Sequence, residues 1–206
     1  MLQTISAKDI SLYELEEQFG LQLTDDQFFT EWSRVTTAYT PEQSLERVRS
    51  NYLNLNKRRP MSEDAVKMVV LSPLLDLAGF YQPPFEIETE APIRISAEDD
   101  GAIVEGNIDV LVGQKQLWIL VIESKNTKFD VITALPQALA YTLDDPKRDR
   151  PSFELLVNGR EFVFVKLIKE ATPPYSLSRA FSILKPEHDL YEVIHLLKYV
   201  SELIKR

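Results

Sequence analysis

A short, strongly apolar segment that ends in charged residues constrains the fold of this chain more than any other feature. Residues 117–122 are six apolar side chains in a row, and Glu123-Ser124-Lys125 follows directly. A run of this length is typical of a central strand buried on both faces, where an unpaired charge is rarely tolerated. Residues two apart on a strand share a face, so the pattern predicts that Glu123 and Lys125 point to the same side.

The segment before this strand carries a second carboxylate. Residues 106–112 read Gly-Asn-Ile-Asp-Val-Leu-Val, and a short turn at 113–116 predicts an antiparallel hairpin that brings Asp109 beside Glu123. Two carboxylates held close together repel each other unless a cation lies between them, and oxygen ligands suit a divalent cation. The pattern therefore indicates a metal site with an adjacent lysine. The alternative interpretation is a solvated ion pair between Glu123 and Lys125 at a strand end.

Two predicted helices carry further polar candidates. Ser62 is a suitable N-cap for a helix that starts at Glu63 and ends at Gly79, although Glu63 could simply complement the helix dipole. Gln137 and Tyr141 are four residues apart and therefore share a helical face. Because Pro136 fits only the first turn of a helix, the pattern also predicts free backbone N–H groups near Gln137 that would favour an anion.

Taken in order, these residues resemble the PD-(D/E)xK nuclease superfamily. More narrowly, they resemble the N-terminal nuclease domain of type I restriction endonuclease motor subunits and the related exonuclease V-type nucleases. The similarity covers roughly residues 59–165, and Ile108 stands where the superfamily has its proline. The residues that carry the resemblance are Glu63, the Leu-Ser-Pro-Leu-Leu-Asp-Leu-Ala-Gly-Phe segment at 71–80, the Gly-Asn-Ile-Asp segment at 106–109, the Val-Ile-Glu-Ser-Lys segment at 121–125, Gln137 and Tyr141.

The resemblance implies Mg²⁺-dependent or Mn²⁺-dependent hydrolysis of DNA phosphodiester bonds. Asp109 and Glu123 would bind the ion, with the backbone carbonyl of Ser124 as a third ligand. Glu63 would hold a second ion or a metal-bound water. Lys125 would orient the attacking water or stabilise the charged phosphate.

The same resemblance implies supporting roles on the second helix. Gln137 and Tyr141 would brace the site or contact DNA. The non-catalytic alternative is a nuclease-like fold that binds nucleic acid or a partner protein without cutting.

The order of predicted elements indicates an α/β fold with a restriction-endonuclease-like core, in which a mixed central sheet is flanked by helices. Residues 1–58 are expected to form a helical N-terminal extension, and residues 59–206 a nuclease-like domain, together one compact unit. The predicted helices are 11–19, 25–33, 41–57, the helix that starts at Glu63, the helix of Gln137 and 186–205; the predicted strands, besides the hairpin of Asp109 and Glu123, are 85–95, 153–158 and 161–167.

Composition limits the partners and the compartment. The chain has 206 residues and a net charge of −9, from 32 acidic and 23 basic residues. A protein that grips DNA by itself usually has a basic surface, so we expect weak DNA binding and a motor or specificity subunit as partner. Two basic clusters, at 57–59 and 147–150, are candidate phosphate contacts or ordinary exposed turns.

Several other kinds of site are not encoded. The chain has no cysteine, which excludes disulfides and thiolate metal sites, and no apolar run of membrane-spanning length, so a cytoplasmic protein is expected. The spacing of glycines at 101–106 is like that of a P-loop but lacks its lysine, so no ATP motor is predicted. His188 and His195 have no third ligand nearby in the sequence and are expected to be structural or exposed.

Overall fold

The computed structural model describes residues 4–24, 42–96, 103–114, 117–143, 151–170, 172–185 and 189–205. Within these ranges the chain folds as the predicted mixed α/β architecture, a central sheet with helices on both faces. The helices are α1 (Leu12–Phe19), α2 (Glu42–Asn56), α3 (built from Glu63–Val66, a π-helical turn Lys67–Leu71 and Ser72–Ala78), α4 (Leu135–Leu143, preceded by a 3₁₀ turn Val131–Ala134) and α5 (Asp189–Lys205). The strands are β1 (Thr4–Ser6), β2 (Gln22–Leu23), β3 (Glu86–Ser96), β4 (Ile103–Gln114), β5 (Leu117–Ser124), β6 (Ser152–Val157), β7 (Glu161–Leu167), β8 (Pro174–Leu177) and β9 (Phe181–Ser182).

The sheet is mixed, and its main path among the described strands runs β1-β4-β5-β6-β7-β8-β2. Strand β3 pairs with β4, and β9 pairs with β7. The predicted hairpin forms as an antiparallel β4–β5 pair in which Val110 is opposite Ile122. Strand β6 then runs parallel to β5, because α4 makes the crossover that a parallel connection needs.

Each face of the sheet has its own apolar core. On one face, α2, α3 and α5 pack Val48, Leu74 and Leu197 against sheet residues such as Ile122 and Leu155. On the other face, α1 and α4 pack residues such as Leu15 and Leu139 against Ile108, Leu156 and Val163. Alternate residues of the central strands therefore enter opposite cores, as expected for strands covered on both sides.

Helix α3 begins and ends as the sequence indicates. The Ser62 side chain accepts a hydrogen bond from the Ala65 N–H at 3.3 Å, and Gly79 ends the helix in the left-handed region with φ of +87°. A π-helical turn interrupts its middle, which the sequence does not signal. Such turns are rare and are often associated with functional sites.

Other parts of the chain differ from the sequence-based expectation. The N-terminal segment contributes strands β1 and β2 as well as helices, pairing in parallel with β4 and β8. The α-helix of Gln137 begins at Leu135, so Gln137 lies in its first turn as predicted. The sequence does not signal the 3₁₀ turn that precedes this helix, which is capped by Asp130, whose Oδ1 accepts from the Ile132 N–H at 3.0 Å.

Some expectations cannot be compared with the described part of the chain. The predicted helix 25–33, the basic cluster 147–150 and His188 fall outside it, as do the side chains of residues 117–121. None of the helices that the structure describes is both long and apolar enough to cross a membrane.

Candidate active site

The β4–β5 pair places Asp109 and Glu123 against each other's backbone. The Ser124 N–H donates a hydrogen bond to Asp109 Oδ2 at 2.7 Å, and the Asp109 N–H donates a longer one to Glu123 Oε1 at 3.4 Å. Both residues are buried, with Glu123 0% exposed. The strand pairing therefore holds two carboxyl groups side by side where water has little access.

The carboxyl group of Glu123 is strongly perturbed by its surroundings. Its Oε2 atom is buried and has no hydrogen-bond partner among the described residues, while the Lys125 Nζ atom lies 3.8 Å from it. Burial is the main reason why the pKa of Glu123 is raised well above its usual range, and the nearby Asp109 raises it further. The charges of Lys125 and Lys67 only partly offset these effects. Without another cation, the folded protein therefore favours protonation of Glu123 more than the unfolded chain does.

Lys125, Gln137 and Tyr141 form a continuous hydrogen-bond chain. The Lys125 ammonium donates to Gln137 Oε1 at 2.9 Å, and Gln137 Nε2 donates to Tyr141 Oη at 2.8 Å. Helix α4 makes the second bond possible because residues four apart share a face. Burial, and then the charge of Glu123, raise the pKa of the Tyr141 hydroxyl, which stays neutral. The predicted polar pair on α4 thus holds Lys125 beside Glu123.

Gly106 explains how Tyr141 can come so close to β4. A Cβ atom at this position would lie 2.8 Å from Tyr141 Oη and 2.8 Å from the Ala7 Cβ atom. Only glycine leaves room for the tyrosine and for the chain that enters from β1.

Lys67 is the site residue that the sequence analysis missed. Its ammonium lies 2.8 Å from Asp109 Oδ1 and 3.2 Å from Glu90 Oε1. Burial favours the neutral amine, but the hydrogen bonds and charges of Asp109 and Glu90 outweigh it and raise the pKa of Lys67. Lys67 is four residues after Glu63 on the same helix, and this spacing is the signal that could have drawn attention to it.

Glu90 also carries backbone strain. It lies on β3 between Thr89 and Ala91, which pair with Val110 and Ile108, and its φ is +54°. This left-handed conformation is costly for a residue other than glycine, and such strain is most often retained at functional sites.

The structure does not bring Glu63 into this cluster. Glu63 is half-buried in the first turn of α3, and its side chain forms no hydrogen bond or ion pair with the described part of the chain. Within the described ranges, no group of three or more Asp, Glu, His or Cys side chains is close enough to hold a metal ion. The site therefore offers two carboxylates, with Lys67 and Lys125 beside them.

The comparisons with known proteins include a distant similarity to a solved structure. No protein-family model matches the sequence, and no curated protein matches it. A solved structure described as a fragment of a putative HsdR subunit of a type I restriction enzyme from Vibrio vulnificus YJ016 is 17% identical, with a TM-score of 0.42. The alignment covers 65% of this chain and 25% of that one, so the chain spans about a quarter of the fragment's length.

Proposed function

We propose that this chain is a Mg²⁺-dependent or Mn²⁺-dependent nuclease that hydrolyses DNA phosphodiester bonds. Its role would be similar to that of the nuclease domain of a type I restriction motor subunit, but without an ATP motor of its own. One observation carries the proposal. A buried Glu123 oxygen without a hydrogen-bond partner among the described residues lies beside a second carboxylate, Asp109, with the Lys125 ammonium 3.8 Å away.

The donor chemistry fits a hard divalent cation. Oxygen ligands are what Mg²⁺ and Mn²⁺ prefer, and Mg²⁺ is commonly bound by one or two carboxylates with waters and substrate phosphates completing its shell. Asp109 and Glu123 would supply these carboxylates, and the Ser124 carbonyl would add a backbone oxygen. The raised pKa of Glu123 supports the same assignment, because a nearby cation stabilises the ionised form of a buried carboxyl. When bound, the ion would lower the pKa of a water and neutralise charge on the phosphate.

The protein groups around the carboxylates would orient the reaction. Lys125, held at 2.9 Å by Gln137 Oε1, would keep its ammonium directed at the attacking water or at a phosphate oxygen. Gln137 and Tyr141 would act as positioning residues, since their hydrogen bond fixes the amide that holds Lys125. Glu63 would contribute only if substrate binding draws it toward Asp109.

The acidic net charge of the chain indicates how it would bind DNA. A chain with a net charge of −9 gains little from counterion release when it binds DNA. We therefore propose that its grip on DNA is weak and that a motor or specificity subunit supplies the rest.

A non-catalytic binding function is the second candidate, and Lys67 is the observation that favours it. Its ammonium already neutralises Asp109 at 2.8 Å, so the carboxylates are partly compensated without any metal. A domain of this kind would keep the fold and the buried polar network while it binds nucleic acid or a protein.

Cleavage of linear and circular DNA by the purified protein distinguishes the two candidates. We expect degradation in Mg²⁺ or Mn²⁺ and none with a chelator, and we expect no cleavage by Glu123→Ala. Glu88→Ala is a matched control, because Glu88 is an exposed glutamate on the neighbouring strand β3. Circular substrates separate internal cleavage from attack at ends.

The nuclease proposal fails if wild type cleaves neither DNA nor RNA in either metal, with and without candidate partner subunits. Binding of nucleic acid or protein under the same conditions would then support the non-catalytic function. Cleavage that persists in Glu123→Ala would point to a contaminating nuclease.

A further inference from the structure

A small apolar hollow lies next to the paired carboxylates, between α3 and the edge strand β3. Its volume is about 270 Å³, and it is open to solvent. Its floor is formed by buried side chains, Leu71, Leu75 and Val110. Its rim includes two large apolar side chains that remain accessible, Met68 at 73% and Tyr81 at 45% exposed. An accessible apolar rim over a buried apolar floor is a feature that binding sites use.

The hollow and the candidate active site share a wall. Lys67 lines the hollow, and its ammonium binds Asp109 Oδ1 at 2.8 Å. Lys67, Leu71 and Leu75 succeed one another every four residues, so one face of α3 runs from the carboxylates along the hollow. A molecule held at Asp109 could therefore extend directly into this space.

We propose that the hollow receives the base of the nucleotide next to the scissile phosphate, an inference that rests on the proposed nuclease function. Every base has an apolar face that stacks on aromatic side chains, largely independently of its sequence. The volume of about 270 Å³ leaves room for one ring system.

The polar groups of the rim match the edge of a base. The Tyr81 hydroxyl donates to Ser72 Oγ at 2.7 Å, which fixes the ring at the mouth of the hollow. The carboxylate of Asp64 also lines the hollow, and a carboxylate accepts hydrogen bonds from the amino groups of bases. An aliphatic side chain of a partner protein would make no hydrogen bond to the Asp64 carboxylate.

A hollow that binds a base favours substrates whose bases are unpaired. A base inside a duplex is stacked and paired, so it reaches a side pocket only after it leaves the stack. The hollow therefore selects single-stranded DNA, frayed ends or locally unpaired sites over an intact duplex.

Abasic substrates test the inference through cleavage. We expect one abasic residue next to the cleaved bond to lower kcat/KM of wild type about tenfold, the loss of one stacked base. The double variant Met68→Ala/Tyr81→Ala should cleave the intact strand about tenfold more slowly than wild type. The abasic residue should not lower its kcat/KM any further. Tyr13→Ala is the control, since Tyr13 is a 70% exposed aromatic on α1, which packs on the other face of the sheet.

A binding measurement separates failure of the hollow from failure of the nuclease. A single strand that contains 2-aminopurine, mixed with wild type in Ca²⁺, should lose fluorescence as the base stacks, and the double variant should not cause this loss. If wild type cleaves DNA but the variants and the abasic residue change neither kcat/KM nor fluorescence, the base-binding inference is overturned and the nuclease stands. That result would leave the hollow to a partner protein.

The remaining outcomes are also decisive. If wild type does not cleave but quenches 2-aminopurine through Met68 and Tyr81, the hollow binds bases in a non-catalytic protein. If it neither cleaves nor quenches, both proposals fail.

Discussion

The ammonium of Lys67 and the carboxylate of Asp109 are joined at 2.8 Å across the gap between α3 and β4. The pair is mostly buried, with the Lys67 and Asp109 side chains 20% and 12% exposed. A metal cation that bound Asp109 Oδ1 would have to displace the Lys67 ammonium from that oxygen. Lys67 would therefore compete with the proposed metal for Asp109.

Replacing Lys67 by methionine tests this competition. Without metal, Lys67→Met should unfold at a temperature roughly 5 °C lower, because the loss of a charged hydrogen bond costs about 2 kcal/mol. With Mg²⁺ or Mn²⁺, its rise in melting temperature should exceed that of wild type, since Asp109 Oδ1 is free. Lys57→Met, an exposed lysine just after α2, is the control. A smaller metal-induced rise in Lys67→Met than in wild type would contradict the competition.

Glu123 should link stability to pH with a definite sign. Burial and Asp109 raise its pKa in the folded protein, so the folded state keeps a proton that the unfolded chain releases. Stability without metal should then fall as pH rises from the ordinary glutamate pKa through the folded pKa. Glu123→Gln should flatten this fall and melt higher than wild type at the alkaline end. Urea unfolding at a series of pH values measures the slope.

The raised pKa of Glu123 also predicts that the metal affinity of the site depends on pH. A protonated Glu123 cannot bind a cation, so the apparent affinity for Mg²⁺ should rise with pH until Glu123 is ionised. Isothermal titration calorimetry should also detect protons released on binding. An affinity that does not change with pH would exclude Glu123 as a ligand.

Lys125 should act on the reaction rather than on metal binding. An ammonium beside the phosphate stabilises mainly the transition state, so Lys125→Ala should lower kcat by about 10²-fold or more with little change in metal affinity. Lys125→Arg should not restore the rate fully, because a planar guanidinium cannot replace a compact ammonium held by Gln137. Lys128→Ala, an exposed lysine three residues later, is the control. Equal losses of metal binding and rate in Lys125→Ala would indicate a structural role instead.

Much of the site's geometry follows from local sequence rules. The side-chain period of a strand aligned Glu123 with Lys125, and the period of a helix aligned Gln137 with Tyr141. The approach of Lys67 to Asp109 could not be read in this way, because it depends on how α3 packs against β4 and on its π-helical turn. Strands β1 and β2 were missed for a similar reason: they have three and two residues, too short for an alternating pattern.

Glu154 provides the last prediction, and it also gives a control for Glu123. It lies on β6, is 0% exposed, and neither of its carboxyl oxygens has a hydrogen-bond partner among the described residues. Burial raises its pKa to about 8, against which Thr142 and Lys169 act only weakly. The stability that its proton maintains should therefore be lost between the ordinary glutamate pKa and about pH 8. Glu154→Gln should remove this loss, of the order of several kcal/mol, while Glu88→Gln on the exposed side of β3 should not.

Glu154 is not a proposed metal ligand. Mg²⁺ should therefore leave the contribution of Glu154 to the pH dependence of stability unchanged, while it reduces the contribution of Glu123. If metal reduced both parts equally, the two carboxyl groups would not be independent.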